Sequence, residues 1–224
     1  QQTYPNIEHI FVDGASSDET CNIIRRLIPE ANLVSEKDNG IYNAFNKGLR
    51  RSSGEFVFFL NSDDVFFSRL VVEKAVRIAL EQDADCVFTG VEILSRHANV
   101  VRRYKPRHLT VRNLAGGIMP PHTGSFIRKK IYEKIGGFDE SYSICGDYDW
   151  FCRLAVDGKF SSSILDSIIA VRMASGGASS SDLSARVLLH LEIHRTLKQN
   201  GLRASHLKLL TRYLIKLLEF RLAT

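Results

Sequence analysis

The sequence predicts an α/β protein whose mostly parallel sheet is flanked by helices, with a helical C-terminal extension, and three observations lead there. Strand-like and helix-like patterns alternate four times through residues 7–89, the order that builds parallel sheets with crossover helices. Residues 56–60, Phe-Val-Phe-Phe-Leu, are apolar without alternation, as in a strand buried on both faces. Two strand-like runs end in carboxylates, one at Asp13 and one at Asp63-Asp64. Open α/β sheets bind ligands outside the carboxyl ends of their strands, so these acids would reach the rim of such a crevice.

Composition narrows the class. The 224 residues are 44% hydrophobic and 25% charged, the balance of an ordinary globular protein with a substantial core. Lys and Arg number 30 against 25 Asp and Glu, an excess too small for a nucleic-acid footprint but suited to anionic substrates or an acidic membrane surface. Cys21, Cys86, Cys145 and Cys152 show no Cys-x-x-Cys pairing, which excludes the usual zinc and disulfide frameworks and fits a reducing cytosol. No apolar run approaches the ~18 residues that span a bilayer.

Residues 7–12 have strand character and end in Asp13-Gly14-Ala15-Ser16-Ser17-Asp18, a turn of small and acidic residues. The helix after it is expected to be capped by Ser16 or Ser17 and to stop at Pro29. Asp13 stands there either as a ligand-facing acid or as a turn residue bonding nearby backbone. Residues 32–35 form a short strand, 36–40 a turn, and 41–51 a helix with Ile41, Ala44, Phe45, Gly48 and Leu49 at helical spacing. Lys47 and Arg50 lie off that stripe, solvated or paired with phosphate.

After residues 56–60 come Asn61-Ser62-Asp63-Asp64. Adjacent carboxylates repel each other unless a cation lies beside them, and a hard divalent ion carrying substrate phosphates meets that need. The alternative is a cap for a helix begun near Ser68, whose Val71, Val72, Ala75, Val76, Ala79 and Leu80 form an apolar stripe.

The pattern changes after the strand at 86–89. Residues 91–94 and 100–104 bracket Arg96-His97-Ala98-Asn99 as a hairpin, beside a basic run of Arg102, Arg103, Lys105 and Arg107. A rigid loop, 119–125, leads to a short strand at Phe126, a helix over 128–135 and the turn Gly136-Gly137-Phe138-Asp139-Glu140. Gly146-Asp147-Tyr148-Asp149-Trp150 opens another helix. Asp147 suits the helix dipole there, or serves as a base toward a substrate hydroxyl.

Residues 159–173 predict one or two strands, 175–181 a lid or hinge, and the chain from 182 onward is helical. In the last helix Leu210, Leu214, Leu217 and Leu218 oppose Lys208, Arg212 and Lys216, a pattern for an anionic membrane surface or for packing on a partner. The expected division is a main domain at 1–181 and the helical extension at 182–224.

Taken together, Gln2-Thr3-Tyr4-Pro5-Asn6, Val12-Asp13-Gly14-Ala15-Ser16-Ser17-Asp18, Ser35-Glu36-Lys37-Asp38-Asn39-Gly40-Ile41-Tyr42, Asn46-Lys47-Gly48, Phe59-Leu60-Asn61-Ser62-Asp63-Asp64, Gly136-Gly137-Phe138-Asp139-Glu140 and Gly146-Asp147-Tyr148-Asp149 resemble the family 2 glycosyltransferases. The resemblance covers about the first three quarters of the chain. Each motif alone is weak, but their order and spacing together are specific. The resemblance implies a GT-A fold that binds nucleotide-diphospho-sugars. On it the chain is expected to lack the strand and helix with which members usually begin.

Carried over by residue, the resemblance implies that Asp13 binds the nucleotide base, with Asp38 and Lys47 lining the same pocket. Asp63 would hold the ribose or share the metal, and Asp64 would coordinate a Mg²⁺ or Mn²⁺ ion bridging the phosphates. Asp147 matches the family's catalytic base. His122 is expected to contact acceptor or phosphate and is grouped with the donor-binding residues. Asn61 departs from the commonest pattern, which has another Asp there.

The implied activity is inverting transfer of a sugar, expected from a UDP-sugar, to a hydroxyl of a saccharide or lipid-linked acceptor in polysaccharide or glycolipid biosynthesis. The expected setting is the cytoplasm, peripheral to the inner membrane face. The alternative is a non-catalytic binding or scaffold subunit on the same fold.

Overall fold

The computed structural model describes residues 2–176 and 183–204. Most of the predicted lid at 175–181 and the whole Lys208, Arg212 and Lys216 stripe lie outside them.

The apolar run at 56–60 packs on both faces, with Val57 buried and the other four residues half-buried. Val57 and Phe59 pack into one hydrophobic core, while Phe56, Phe58 and Leu60 pack into another. Only Phe56–Val57 has a ladder partner and forms strand β3.

Before it come β1 (Ile10–Asp13), α1 (Thr20–Leu27), β2 (Asn32–Ser35) and α2 (Ile41–Arg51). After it come β4 (Val65–Phe66), α3 (Val71–Glu81), β5 (Cys86–Leu94), β6 (Val100–Tyr104) and α4 (Val111–Leu114). A 3-10 turn (His122–Gly124) leads to β7 (Ser125–Arg128), α5 (Lys129–Ile135), α6 (Gly146–Asp157), β8 (Ser162–Ala174) and α7 (Leu183–Gln199).

β1 and β2 pair in parallel as a two-stranded sheet. The second sheet runs β3-β7-β5-β8-β4, with β6 also paired to β5. It is mixed. β5 and β8 are parallel, while β3–β7, β5–β7, β4–β8 and β5–β6 are antiparallel. These pairings make β3, β5 and β8 point the same way, as alternating strands and helices predict, with β7 inserted against them.

Two cores cover the faces of this sheet. On one, Val71, Ala75 and Ala79 of α3 meet Val87, Val91, Phe126 and Val171. On the other, Phe88 and Ile127 meet Trp150, Phe151 and Leu154 of α6. Ile193 and Leu197 of α7 are 3% and 1% exposed in this second core, each burial stabilising by about 1.5–3 kcal/mol. No helix among the described residues is long and apolar enough to cross a membrane.

Several local expectations change. α1 starts after Glu19 without a side-chain cap, because the Ser16 hydroxyl donates to Asp13 instead. A short strand, β4, intervenes after Asp64, and the helix expected from near Ser68 starts at Val71. The amide of Val72 in its first turn donates to Gln2 Oε1, so the Gln2-Thr3 motif caps α3 from far along the chain. The basic run beside the hairpin is partly engaged. Arg103 pairs with the buried Glu92 at 3.0 Å, and Arg102 lies over the Tyr104 ring.

Candidate active site

Three groups of residues carry the predicted site positions, and two of them touch α2, through Lys47 and through Tyr42. The first lies at the carboxyl ends of β1 and β2. Asp13 accepts from Ser16 N at 2.9 Å, Ser16 Oγ at 2.5 Å, Ser35 Oγ at 2.6 Å and Cys21 Sγ at 3.3 Å. These donors, the Ser16 and Ser35 hydroxyls foremost, hold its carboxyl far below the usual carboxylate range. The turn conformation follows from these bonds, and Glu36 N closes it onto Asp13 O at 3.0 Å.

Asp38 stands directly over Gly14, where a Cβ would lie 2.7 Å from its Oδ2. Any side chain at position 14 would displace the Asp38 carboxylate. Lys47, from α2, reaches the same end, bonding Lys37 O at 2.8 Å and pairing with Glu36 at 3.1 Å. Asp38 thus lies at the turn that follows Asp13, and Lys47 bonds the residue before Asp38.

The second group is the turn after β3. Asp64 is 6% exposed, and Asn61 Nδ2 donates to its Oδ2 at 3.0 Å. Burial pushes its carboxyl up to about 6, with the neighbouring Asp63 charge adding to the rise. Asp63 itself is exposed. A buried carboxylate with little hydrogen bonding, beside an exposed one, fits a hard divalent ion that takes one or two carboxylates and completes its shell with substrate oxygens and water. Among the described residues no group of three or more His, Cys, Asp or Glu forms an all-protein metal cage.

The third group sits at the start of α6. Asp147 Oδ1 accepts from Tyr148 N at 2.7 Å and lies 3.3 Å from the Tyr42 hydroxyl of α2. Burial pushes its carboxyl up to about 6. Gly146 permits this approach, since a Cβ there would stand 2.8 Å from the Tyr42 ring. Behind it, Arg153 donates to Ile135 O, Gly137 O and Asp149, and Trp150 Nε1 donates to Gly136 O. The Gly-Gly-Phe-Asp-Glu turn is therefore clamped to the helix carrying Asp147.

His122 lies beneath, 9% exposed among Phe45, Phe59, Phe138 and Phe151, with no hydrogen-bond partner on Nε2. Burial lowers its pKa to about 4, so the ring is neutral. It stacks on Phe59, five residues before Asp64 in the run that follows β3.

Sequence reading missed Tyr42 as the contact between α2 and Asp147. It also missed Asn46, whose buried amide donates to Phe138 O and Glu140 and accepts from Phe138 N. Both stand inside quoted motifs, and that membership was the available signal.

An α/β crevice rimmed by carboxylates at strand ends defines a class of proteins that bind nucleotides and their conjugates. The chain belongs to glycosyl transferase family 2, whose family model matches residues 1–140. An uncharacterized glycosyltransferase of Mycobacterium tuberculosis is 33% identical over 152 residues, covering 67% of this chain and 58% of that protein. A PGL/p-HBAD biosynthesis glycosyltransferase of Mycobacterium bovis is 24% identical over 197 residues, covering 85% of this chain and 75% of that one.

Among solved structures, S. aureus TarS 1-349 superposes with a TM-score of 0.65 at 17% identity, covering 95% of this chain and 64% of that one. Mannosyltransferase PcManGT from Pyrobaculum calidifontis, in complex with GDP-Man and Mn²⁺, gives 0.63 at 20% identity, covering 88% and 56%. These likenesses show the GT-A fold. The chain spans 58% of the length of the first relative and about two thirds or less of these solved chains.

Proposed function

We propose that this chain carries the donor site and the base of an inverting, metal-dependent glycosyltransferase. It moves a sugar from a nucleotide-diphospho-sugar to a hydroxyl of a saccharide or lipid-linked acceptor. The observation that carries this reading is the pair Asp64, buried beside the exposed Asp63 with one side-chain donor, and Asp147, held at the start of α6 beside Tyr42, both pushed up by burial to about 6. A UDP-sugar donor is supported by the related TarS structures with UDP and UDP-GlcNAc. A role in biosynthesis is supported by the PGL/p-HBAD biosynthesis name of the M. bovis relative.

In this reading Asp13 shapes the loop around the base, and Asp38 and Lys47 close the nucleotide pocket. Asp64, with Asp63 beside it, would hold a Mg²⁺ or Mn²⁺ ion. When bound, that ion offsets the charge of the diphosphate. Asp147 takes the proton from the acceptor hydroxyl as its oxygen attacks the anomeric carbon, and the bond to the diphosphate oxygen breaks on the opposite face. A carboxylate near 6 is mostly ionised at pH 7 yet retains useful basicity.

The test is thermal unfolding of the 224-residue chain and its Asp64→Ala variant with UDP or GDP, with and without Mn²⁺. A ligand at a hundred times its dissociation constant stabilises by about 2.7 kcal/mol, a rise of roughly 5–10 °C for a chain of this size. The expected result is a Mn²⁺-dependent rise with UDP that Asp64→Ala abolishes. No rise with either nucleotide would overturn the donor site and favour a scaffold role.

A further inference from the structure

Buried carboxylates are costly unless donors surround them, so a buried Glu on the C-terminal helix calls for an account of what surrounds it. Glu192 of α7 is 6% exposed. Its Oε1 accepts from Ser143 N at 2.8 Å, and its Oε2 accepts from Ile144 N at 2.9 Å and Cys145 N at 2.8 Å. Three successive backbone N–H groups converging on one carboxylate form an anion-binding nest. Cys145 is the residue before α6 and makes no side-chain cap of its own, so Glu192 supplies that end from another helix. Asp147 follows two positions later.

The other side of this loop is held by α2. The Tyr42 hydroxyl lies 2.5 Å from Ile144 O and 3.3 Å from Asp147 Oδ1, and with one proton to give it serves the nearer oxygen first. α7 itself is fixed by its buried Ile193 and Leu197, by Tyr142 donating to Gln199 at 2.5 Å, and by Arg195 over the Tyr142 ring at 4.3 Å.

We propose that Glu192 is a positioning residue for Asp147, fixing from α7 the backbone run that carries Asp147 into the site. This rests on the reading of Asp147 as the base. It gives the C-terminal helix a part in the reaction that its unremarkable sequence does not announce. The groups acting on Asp147 are the Tyr42 hydroxyl of α2, the Tyr148 amide of α6 and the Glu192 carboxylate of α7. Asp149 of the same helix is paired with Arg153 at 2.9 Å, and Glu192, bonded only to neutral backbone amides, is the like charge that acts on Asp147.

The experiment titrates the ¹³C-labelled Asp147 carboxyl by NMR in the unmodified chain, in Glu192→Gln and in Glu192→Asp. Removing the like charge in Glu192→Gln is expected to lower the Asp147 midpoint by about half a pH unit or more, while Glu192→Asp retains the higher value. Amide exchange at Ser143, Ile144 and Cys145 is expected to be slow in the unmodified chain and about tenfold or more faster in Glu192→Gln.

An unmoved midpoint in a folded Glu192→Gln chain would overturn the proposal. Should that variant fail to fold, unprotected exchange at these three amides in the unmodified chain would overturn it equally. In a transfer assay the acidic limb of kcat/KM should move with the carboxyl midpoint. A moved midpoint with an unmoved limb would instead remove Asp147 from the role of base and leave the hold of Glu192 on the loop standing.

Discussion

Asp13 and Asp64 hold matching places, each at the carboxyl end of a strand run and each less than a tenth exposed, at 8% and 6%. Their surroundings are opposite. Asp13 receives bonds from Ser16, Ser35 and Cys21 and stays ionised far into acid, whereas Asp64 receives one side-chain bond, from Asn61, and is pushed up to about 6. The same contrast recurs elsewhere. Glu92 sits between Arg103 and Arg172, and Glu192 fills its nest, while Asp147 is raised to about 6. A carboxylate supplied with donors by the protein serves the fold, and one left short is available to a cation or a proton.

The sharpest way to break this division is Asp147→Asn. The amide keeps the shape and loses the basicity, so turnover is expected to fall by about 10²–10⁴-fold while the UDP-induced rise in melting temperature is retained. Equal loss of nucleotide binding would place Asp147 among the structural carboxylates instead.

The next effect belongs to the other class. Asp13→Ala strands the Ser16 amide and the hydroxyls of Ser16 and Ser35 in a partly buried turn. The expected cost is about 1–3 kcal/mol, seen as a lower urea midpoint at unchanged slope. For a chain of this length each kcal/mol is about 2–4 °C of melting temperature. Stability within error of the parent would mean that the four bonds to Asp13 merely replace water, and that its role is contact with ligand alone.

What was legible in the sequence follows the same physical line. Asp13, Asp38, Asp63, Asp64 and Asp147 sit in local signals, at strand ends and a helix start that a few neighbouring residues specify. β4 was not legible, because it has two residues and its partner strand lies more than a hundred positions away. Nor was the insertion of β7 between β3 and β5, since strand order depends on contacts that no local pattern encodes. Glu192 was least visible of all. Its partners are backbone amides, which carry no residue identity, and a Glu on a helix ordinarily signifies a solvated face.

The smallest effect separates the two kinds of carboxylate by sign. The Asp147 carboxyl is raised from 3.8 to about 6 on folding, so folding binds its proton more tightly. Its contribution to stability is full below pH 3.8, declines as pH rises, and is gone above about 6. Asp13 is lowered on folding, so its contribution is present above the unfolded value and is lost as pH falls toward the folded one. Melting temperatures of Asp147→Asn and the parent should therefore diverge between about pH 4 and 6 in favour of the variant, and run parallel at higher pH. The gap between Asp13→Ala and the parent should instead narrow as pH falls below about 4, where Asp13 of the unfolded chain takes up a proton while the folded carboxylate stays ionised. Because Asp147 is only partly buried, solvent screens the first effect to less than the loss expected at Asp13. If both gaps moved with pH in the same direction, proton affinity would follow burial alone, and counting donors around a carboxylate would not distinguish those that hold the fold from those left for the reaction.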